Sequence, residues 1–401
     1  MPRAGWVKPE SDQRLSDHIS IGVLTRTYPP ELVDRVIAET GHVEQRHRLL
    51  PARVVLYFVL ALALFSRESY EEVMRRLVEG LSWASGWRQS WQMPTKAAIF
   101  KARTRLGVEP LEALFATAAR PLGEAATPGV FYRGWRLMSI DGMTLDVADT
   151  PANDDHFGRA GSGRGERAAF PQARVVGLAE TGTHAIVDAA VGPYTVGETT
   201  LARDLLGSLG SGMLLTADRG FYSFALYNQA AATGADLLWR VKKNLKLEVD
   251  QVLADGSWLS RIYDSSDKGR TRPVVVRVVE YTLEDPALTG SGETYRLITT
   301  ILDPTAAPAD ELAALYTQRW EIETAIGEFK THQRGPRLVL RSKAPEGVYQ
   351  EIYGYLLVHY AIRTLMHEAA IDAGLDPDRL SFIRSLRVIR RTTAPHAGFS
   401  P

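Results

Sequence analysis

The chain has 401 residues, with 47 basic and 47 acidic side chains and therefore no formal net charge. A hydrophobic share of 45% and a charged share of 23% fit a globular protein with a large core, and the length predicts two or three domains. The lack of cysteine excludes disulfide frameworks, zinc fingers and thiolate catalysis, and the charge balance argues against nonspecific coating of nucleic acid but not against a local basic groove. The opening MPRAGWVKPESDQ is polar, without the apolar run of a secretory signal, and the longest apolar run, Val54 to Phe65, is too short to cross a bilayer. A cytoplasmic, bacterial protein is expected.

Residues 1–130 read as helical. Pro29 and Pro30 precede a helix from Glu31 whose apolar face is Leu32, Val33, Val36 and Ile37. LLPARVVLYFVLALALFS predicts a buried helix, and SYEEVMRRLVEG an amphipathic one with a Ser cap and an acidic first turn. A loop with Trp83, Trp87 and Trp91 leads to TKAAIFKARTRLG, a helix presenting Lys96, Lys101, Arg103 and Arg105 and capped by Gly107. A small helical domain ending in a basic helix is a candidate DNA-binding unit, with a solvated basic face as the bland alternative. His42 and His47 stand five apart, about 140° around a helix, and form no metal pair.

The pattern changes near Phe131, and residues 131–245 with 304–374 read as an α/β core. WRLMSID is a short strand ending on Asp141, and QARVVGLAE and THAIVDAAV are two more strands joined by a Thr-Gly turn. A helix from about Glu198 leads to the strand GMLLTAD, which ends on Asp218. A helix to about Thr233 and the strand DLLWRVK follow. Three strands, then helix, strand, helix, strand, indicate an α/β sheet of mixed strand order. The Gly/Arg segment FGRAGSGRGERAAF lacks the Gly-Lys-Ser/Thr ending of a phosphate-binding loop and reads as an arm near a polyanion or a plain loop. Residues 246–303 alternate as antiparallel strands in RPVVVRVVEYTL and ETYRLITTIL, a β-rich insertion. Residues 375–401 form a basic helix and tail with Arg379, Arg384, Arg387, Arg390 and Arg391.

Leu312 to Lys330 reads as one continuous helix. On it Tyr316, Arg319, Glu323 and Lys330 share an arc of roughly 60°, with Trp320 on its margin. Leu315, Ile322 and Ile326 form the apolar stripe, and Thr317, Glu321 and Glu328 point to solvent. A ladder of solvated ion pairs would look the same if the helix stood alone. Asp141 and Asp218 end strands, however, where reactive groups of open α/β sheets gather. With Glu323 they make an oxygen-only site suited to Mg²⁺ or Mn²⁺, and two such ions can drive an in-line phosphoryl transfer.

These residues resemble the DDE transposases of bacterial insertion sequences, and more closely the insertion-sequence-four family with its Y-x2-R-x3-E-x6-K signature. Tyr316, Arg319, Glu323 and Lys330 fill that signature, and the two aspartates match Asp141 in SIDGMTLDVADTPAN and Asp218 in LLTADRGFYS. The resemblance covers almost the whole chain. It implies a ribonuclease-H-like catalytic core with a β-rich insertion, preceded by an all-helical N-terminal domain. It also implies two divalent ions, a homodimer on paired transposon ends, and cut-and-paste transposition of double-stranded DNA. Asp141, Asp218 and Glu323 become the metal-binding catalytic triad, and Tyr316, Arg319, Trp320, Lys330, Lys242 and Lys243 the DNA contacts. In relatives that cut through a hairpin, an aromatic residue of the insertion stacks on a flipped base, and Tyr295 is its match here. Two other readings are a metal-dependent nuclease or junction resolvase on the same core, and a noncatalytic DNA-binding remnant. Joining of a free 3′-hydroxyl end to target DNA separates the first from a transposase. The intact triad argues against the second.

Overall fold

The computed structural model describes residues 23–46, 48–84, 93–161, 167–282, 292–333, 335 and 339–392. The first described elements are two helices, α1 (Val23–Thr27) and α2 (Pro30–Glu39), the second started by Pro30 at its first position. The next helix, α3 (Ala52–Leu64), has no polar stripe and is stable only inside a core: every side chain but Arg53 is buried. Around it lie α4 (Tyr70–Ala84), α5 (Lys96–Leu106) and α6 (Glu109–Ala118), and Gly107 ends α5 at a positive φ of 68°. Trp83 falls in α4, but its side chain, with Trp87 and Trp91, lies outside the described residues, as do residues 162–166 of the Gly/Arg segment and the tail 393–401.

The basic face expected on α5 is only partly a face. Lys96 and Lys101 are exposed, but Arg103 is buried and donates to Gln350 Oε1 (3.0 Å), Tyr70 Oη (2.7 Å) and the Gly347 carbonyl (3.1 Å). Arg105 turns inward as well, onto Glu44 and the Leu50 carbonyl. Two of the four cations are internal struts, because a guanidinium with several acceptors can be buried where a lone charge cannot.

The described strands form one ten-stranded sheet. In chain order come β1 (Phe131–Tyr132), β2 (Trp135–Asp146), α7 (Pro151–Phe157), β3 (Gln172–Glu180), β4 (Ile186–Pro193), α8 (Glu198–Asp204), β5 (Met213–Ala217), α9 (Phe224–Ala231) and β6 (Asp236–Arg240). Their order across the sheet is β4-β3-β2-β5-β6, antiparallel through the first three and parallel from β2 to β6, with β1 beside β2. This is the ribonuclease-H-like arrangement that the resemblance implies. The strand β2 does not stop at Asp141, as the sequence suggested, but runs on to Asp146. Its pairing with β3 continues to Asp146↔Gln172, while its parallel pairing with β5 ends at Ile140↔Ala217.

The insertion contributes β7 (Gln251–Val252), β8 (Trp258–Ile262), β9 (Val274–Thr282) and β10 (Thr294–Thr299). It prolongs the same sheet, since β10 pairs antiparallel with β6 from Leu297↔Arg240 to Thr299↔Leu238. The edge that β6 would otherwise expose is thereby satisfied. Arg277 of β9 is fully buried, donating to Ser257 Oγ (2.8 Å) and the Ala307 carbonyl (2.7 Å) and pairing with Asp255. Asp255 in turn accepts the Ala309 N–H at 2.9 Å, so the insertion fixes the head of the next helix.

That helix is α10 (Ala309–Thr317), followed by α11 (Trp320–Gly327) and a π-helical stretch over Glu328–Gln333. Then come α12 (Pro345–Ala373), roughly 44 Å long, and α13 (Phe382–Thr392). The long helix packs on α3 and α6 along one part and on β4 along another, so N-terminal helices and sheet share one core. Gly354 allows the closest approach: a Cβ there would stand 3.0 Å from Val59 Cγ1 and 3.3 Å from the Val59 carbonyl oxygen. Among the described residues, no helix is long and apolar enough to cross a membrane.

Candidate active site

The parallel pair β2–β5 ends at Ile140↔Ala217, and the next residue on each strand is an aspartate. Asp141, still inside β2, and Asp218, just past the end of β5, therefore stand at the same level on neighbouring strands. The Asp141 side chain is a quarter exposed; burial pushes its carboxyl up to about 6, against the pull of the Gly142 N–H, 2.8 Å from Oδ1, and of Arg319. One oxygen of Asp218 is buried without a hydrogen-bond donor among the described residues, and the Arg240 guanidinium stands 3.8 Å from it. A carboxylate oxygen kept from water and from donors is costly unless a cation completes it.

Glu323 reaches this pair through Arg319. The guanidinium is buried, donates to Glu323 Oε1 at 2.8 Å, and stands 3.9 Å from Asp141 Oδ2. The Glu323 side chain is 56% exposed. The donor set is all oxygen and partly desolvated, with Arg319 and Arg240 beside it, and it fits a hard divalent cation. The sequence reading missed Glu198, the first residue of α8. Its negative charge also raises Asp141, and a Cβ on Gly142 would meet its Oε1 at 2.7 Å. At a helix start an acidic residue reads as ordinary dipole complement, so nothing in the sequence singles it out.

The continuous helix expected over Leu312 to Lys330 is broken. At Gln318 and Arg319 the bonds tighten to i→i+3, from Arg319 N–H to the Tyr316 carbonyl and from Ile322 N–H to the Arg319 carbonyl, both 3.1 Å. The expected stripe is consequently split. Tyr316 is buried with its hydroxyl on the Ala217 carbonyl (3.3 Å), Arg319 lies inside the site, and only Glu323 and Lys330 are exposed. Trp320 opens α11. Glu328, expected in solvent, is buried against Arg363, and Glu321 is half-covered with its Oε2 2.8 Å from His184.

Tyr295 also differs from expectation. It is 5% exposed, stacked on Tyr281 (ring centroids 5.3 Å apart, 18° between planes), with the Arg240 guanidinium 4.0 Å from its ring centroid. An inward-facing residue of a sheet packed on α10 has no free face to offer a base. The structure makes it a core residue. Lys242 and Lys243 follow β6 and are exposed.

Two family models match the chain: "Insertion element 4 transposase N-terminal" over residues 18–116 and "Transposase DDE domain" over residues 134–360. It is 32% identical over 375 residues, 93% of this chain and 83% of the relative, to the transposase InsG for insertion sequence element IS4 of Escherichia coli (strain K12). A putative transposase of the same organism, InsZ, is 26% identical over 251 residues, 62% of this chain and 81% of the relative. Among solved structures, a likeness to the cryo-EM structure of the piggyBac transposase synaptic complex with hairpin DNA covers 94% of this chain and 80% of that one. Its TM-score of 0.45 and identity of 12% are too low to bear weight. The length of the family match and the identity to InsG, together with a ribonuclease-H-like sheet ending in paired aspartates, show that this chain belongs to the insertion-element-4 family of DDE transposases, enzymes that cut and join DNA.

Proposed function

We propose that Asp141, Asp218 and Glu323 hold the two divalent ions, Mg²⁺ or Mn²⁺, with which the enzyme cleaves the terminal inverted repeats of its element and joins them to target DNA by cut and paste. The observation that carries this is the end of the β2–β5 pair in two neighbouring aspartates, with Arg319 linking one of them to Glu323. The ions, when bound, lower the pKa of an attacking water or 3′-hydroxyl and stabilise the departing oxygen. The side chains do the rest. Arg319 fixes the Glu323 carboxylate and keeps the three negative groups from repelling one another. Lys330, Lys242 and Lys243 are exposed and suited to the phosphodiester backbone, and Trp320 is assigned to the same DNA contact. Synapsis of two ends calls for a homodimer, each copy supplying one such site.

The test is cleavage and binding by Asp141→Ala, Asp218→Ala and Glu323→Ala. Each is expected to lose about a thousandfold or more of nicking, since each removes an oxygen from ions on which the reaction depends. End binding should stay within about threefold, because it rests on cations elsewhere. Nicking retained by any one variant removes that residue from the triad. Release of a cut strand with no joining of the 3′-hydroxyl end would support the nuclease reading instead.

A further inference from the structure

Across α11 from the carboxylate just described, a second polar group gathers, and the proposed reaction does not use it. Glu321 stands two residues before Glu323, about 200° around the helix, so the two carboxylates leave opposite sides. Ligand atoms of His184, Glu321 and Asp378 lie within 4.8 Å of one another. His184 Nε2 is 2.8 Å from Glu321 Oε2 and 3.3 Å from Asp378 Oδ1, and its Nδ1 is 2.5 Å from Arg363 Nη2.

A His/Glu/Asp cluster suggests a metal, but the arginine decides against it. A guanidinium can only donate, so Nδ1 must accept, and the proton of the neutral ring is then on Nε2. That N–H donates to the carboxylates and offers no lone pair to an ion. The same Arg363 clasps Glu328, with its Nε 2.9 Å from Oε2 and its Nη2 on Oε1. Glu321 lies in the first turn of α11 and Glu328 immediately after its last residue. One unit, Arg363 with His184, therefore grips the helix at both ends, and Glu323 lies between the grips. His184, Arg363 and Glu328 are all buried. His184 also holds φ at 56°, a left-handed conformation uncommon for a residue with a side chain, in the turn between β3 and β4.

We propose that His184 and Glu321 are positioning residues that lock the rotation of α11, and so the placement of the Glu323 carboxylate opposite Asp141 and Asp218. This rests on the reading of Glu323 as an ion-holding residue. The change to i→i+3 bonding at Gln318 and Arg319 shifts the rotation of α11 relative to α10, and the grip of His184 and Arg363 holds α11 in that shifted setting.

The test uses the full chain bound to a cleaved transposon end, with Mn²⁺ binding followed by electron paramagnetic resonance. His184→Leu and Glu321→Leu are each expected to weaken Mn²⁺ by about tenfold, the low end of what losing a supporting contact costs metal affinity. The double variant should be no weaker than either single one, since both break the same link. His184→Gln, whose amide can accept from Arg363 and donate to Glu321, should bind within about threefold of the parent. A purely structural role would lower the melting temperature and leave Mn²⁺ affinity unchanged in the folded fraction, and that result overturns the proposal. Loss of one bound Mn²⁺ with the others unaffected marks the cluster as a metal site and overturns it too. Should a Leu variant not fold, Glu321→Ala, which removes the acceptor at a half-exposed position, takes its place, and unchanged Mn²⁺ affinity in that variant overturns the proposal equally. Glu323→Ala is the control. If it keeps full Mn²⁺ affinity, the assignment of the triad is what fails.

Discussion

Asp141 carries a testable tension. In the protein without metal its carboxyl titrates near 6, against an ordinary 3.8, because burial disfavours the charged form. Below about pH 4 both folded and unfolded chains are protonated there, and the group stabilises nothing. Between about pH 4 and 6 the unfolded chain releases its proton first, so stability falls as pH rises, by on the order of 2 kcal/mol at neutrality. Asp141→Asn should remove that fall and melt higher than the parent at pH 7 in the presence of chelator. Added Mg²⁺ should raise the melting point of the parent and not of the variant. Parallel curves for the two proteins from pH 4 to 7 would show the carboxylate to be unstrained. Tyr295 belongs to the same scale and to the opposite class. Its ring is enclosed by Tyr281, Arg240 and the sheet, so Tyr295→Ala should destabilise the fold by about 3 kcal/mol, read from denaturant melts, and Tyr295→Phe should be near neutral. An Ala variant of full stability that fails only at a late DNA step would restore the stacking role.

At the scale of the element, the break between α10 and α11 separates two residues that a single helix would have made equivalent. Lys330 is exposed in the π-helical stretch, whereas Arg319 is buried beside two carboxylates. Lys330→Ala is therefore expected to weaken end binding and to lower the slope of log affinity against log salt by about one. Arg319→Ala should leave that slope in place and reduce cleavage, because it frees Glu323 and leaves like charges unbalanced. Equal salt slopes for the parent and Lys330→Ala, or a reduced slope for Arg319→Ala, would reverse this division.

The whole molecule hangs on α12, which joins the N-terminal helices to the sheet. Arg103 and Gly354 make two of the close contacts in that joint. Arg103→Ala would strand the buried Gln350 and Ser342 acceptors, at about 3 kcal/mol. Gly354→Val would press a side chain into Val59 and its backbone, at about 2 kcal/mol or more. Both should lower the melting temperature of the N-terminal helices and the sheet in one transition, since one core runs from the first into the second. Two separated transitions would mean that the helical part and the sheet unfold independently. Any loss of DNA binding by Arg103→Ala should track the unfolded fraction.

The sequence alone determined most of the elements and the family to which the chain belongs. The run ARVVLYFVLALAL could only be a buried helix, the strands around Asp141 and Asp218 showed in their apolar pattern, and the spacing of Tyr316, Arg319, Glu323 and Lys330 named the family. These are local properties, set by side-chain type and period. Tertiary structure decided which charges stand open and which are buried struts. Arg103, Tyr316 and Glu328 look, on a helical wheel, like surface residues. They are buried because acceptors or donors from Gln350, Ala217 and Arg363 meet them from elsewhere in the chain. Glu198 and His184 gain their places in the same way, through neighbours more than a hundred residues away or across the sheet. A single sequence carries no record of such partners, because the free energy of burying a polar group depends on what satisfies it, and that is fixed only when the chain closes on itself.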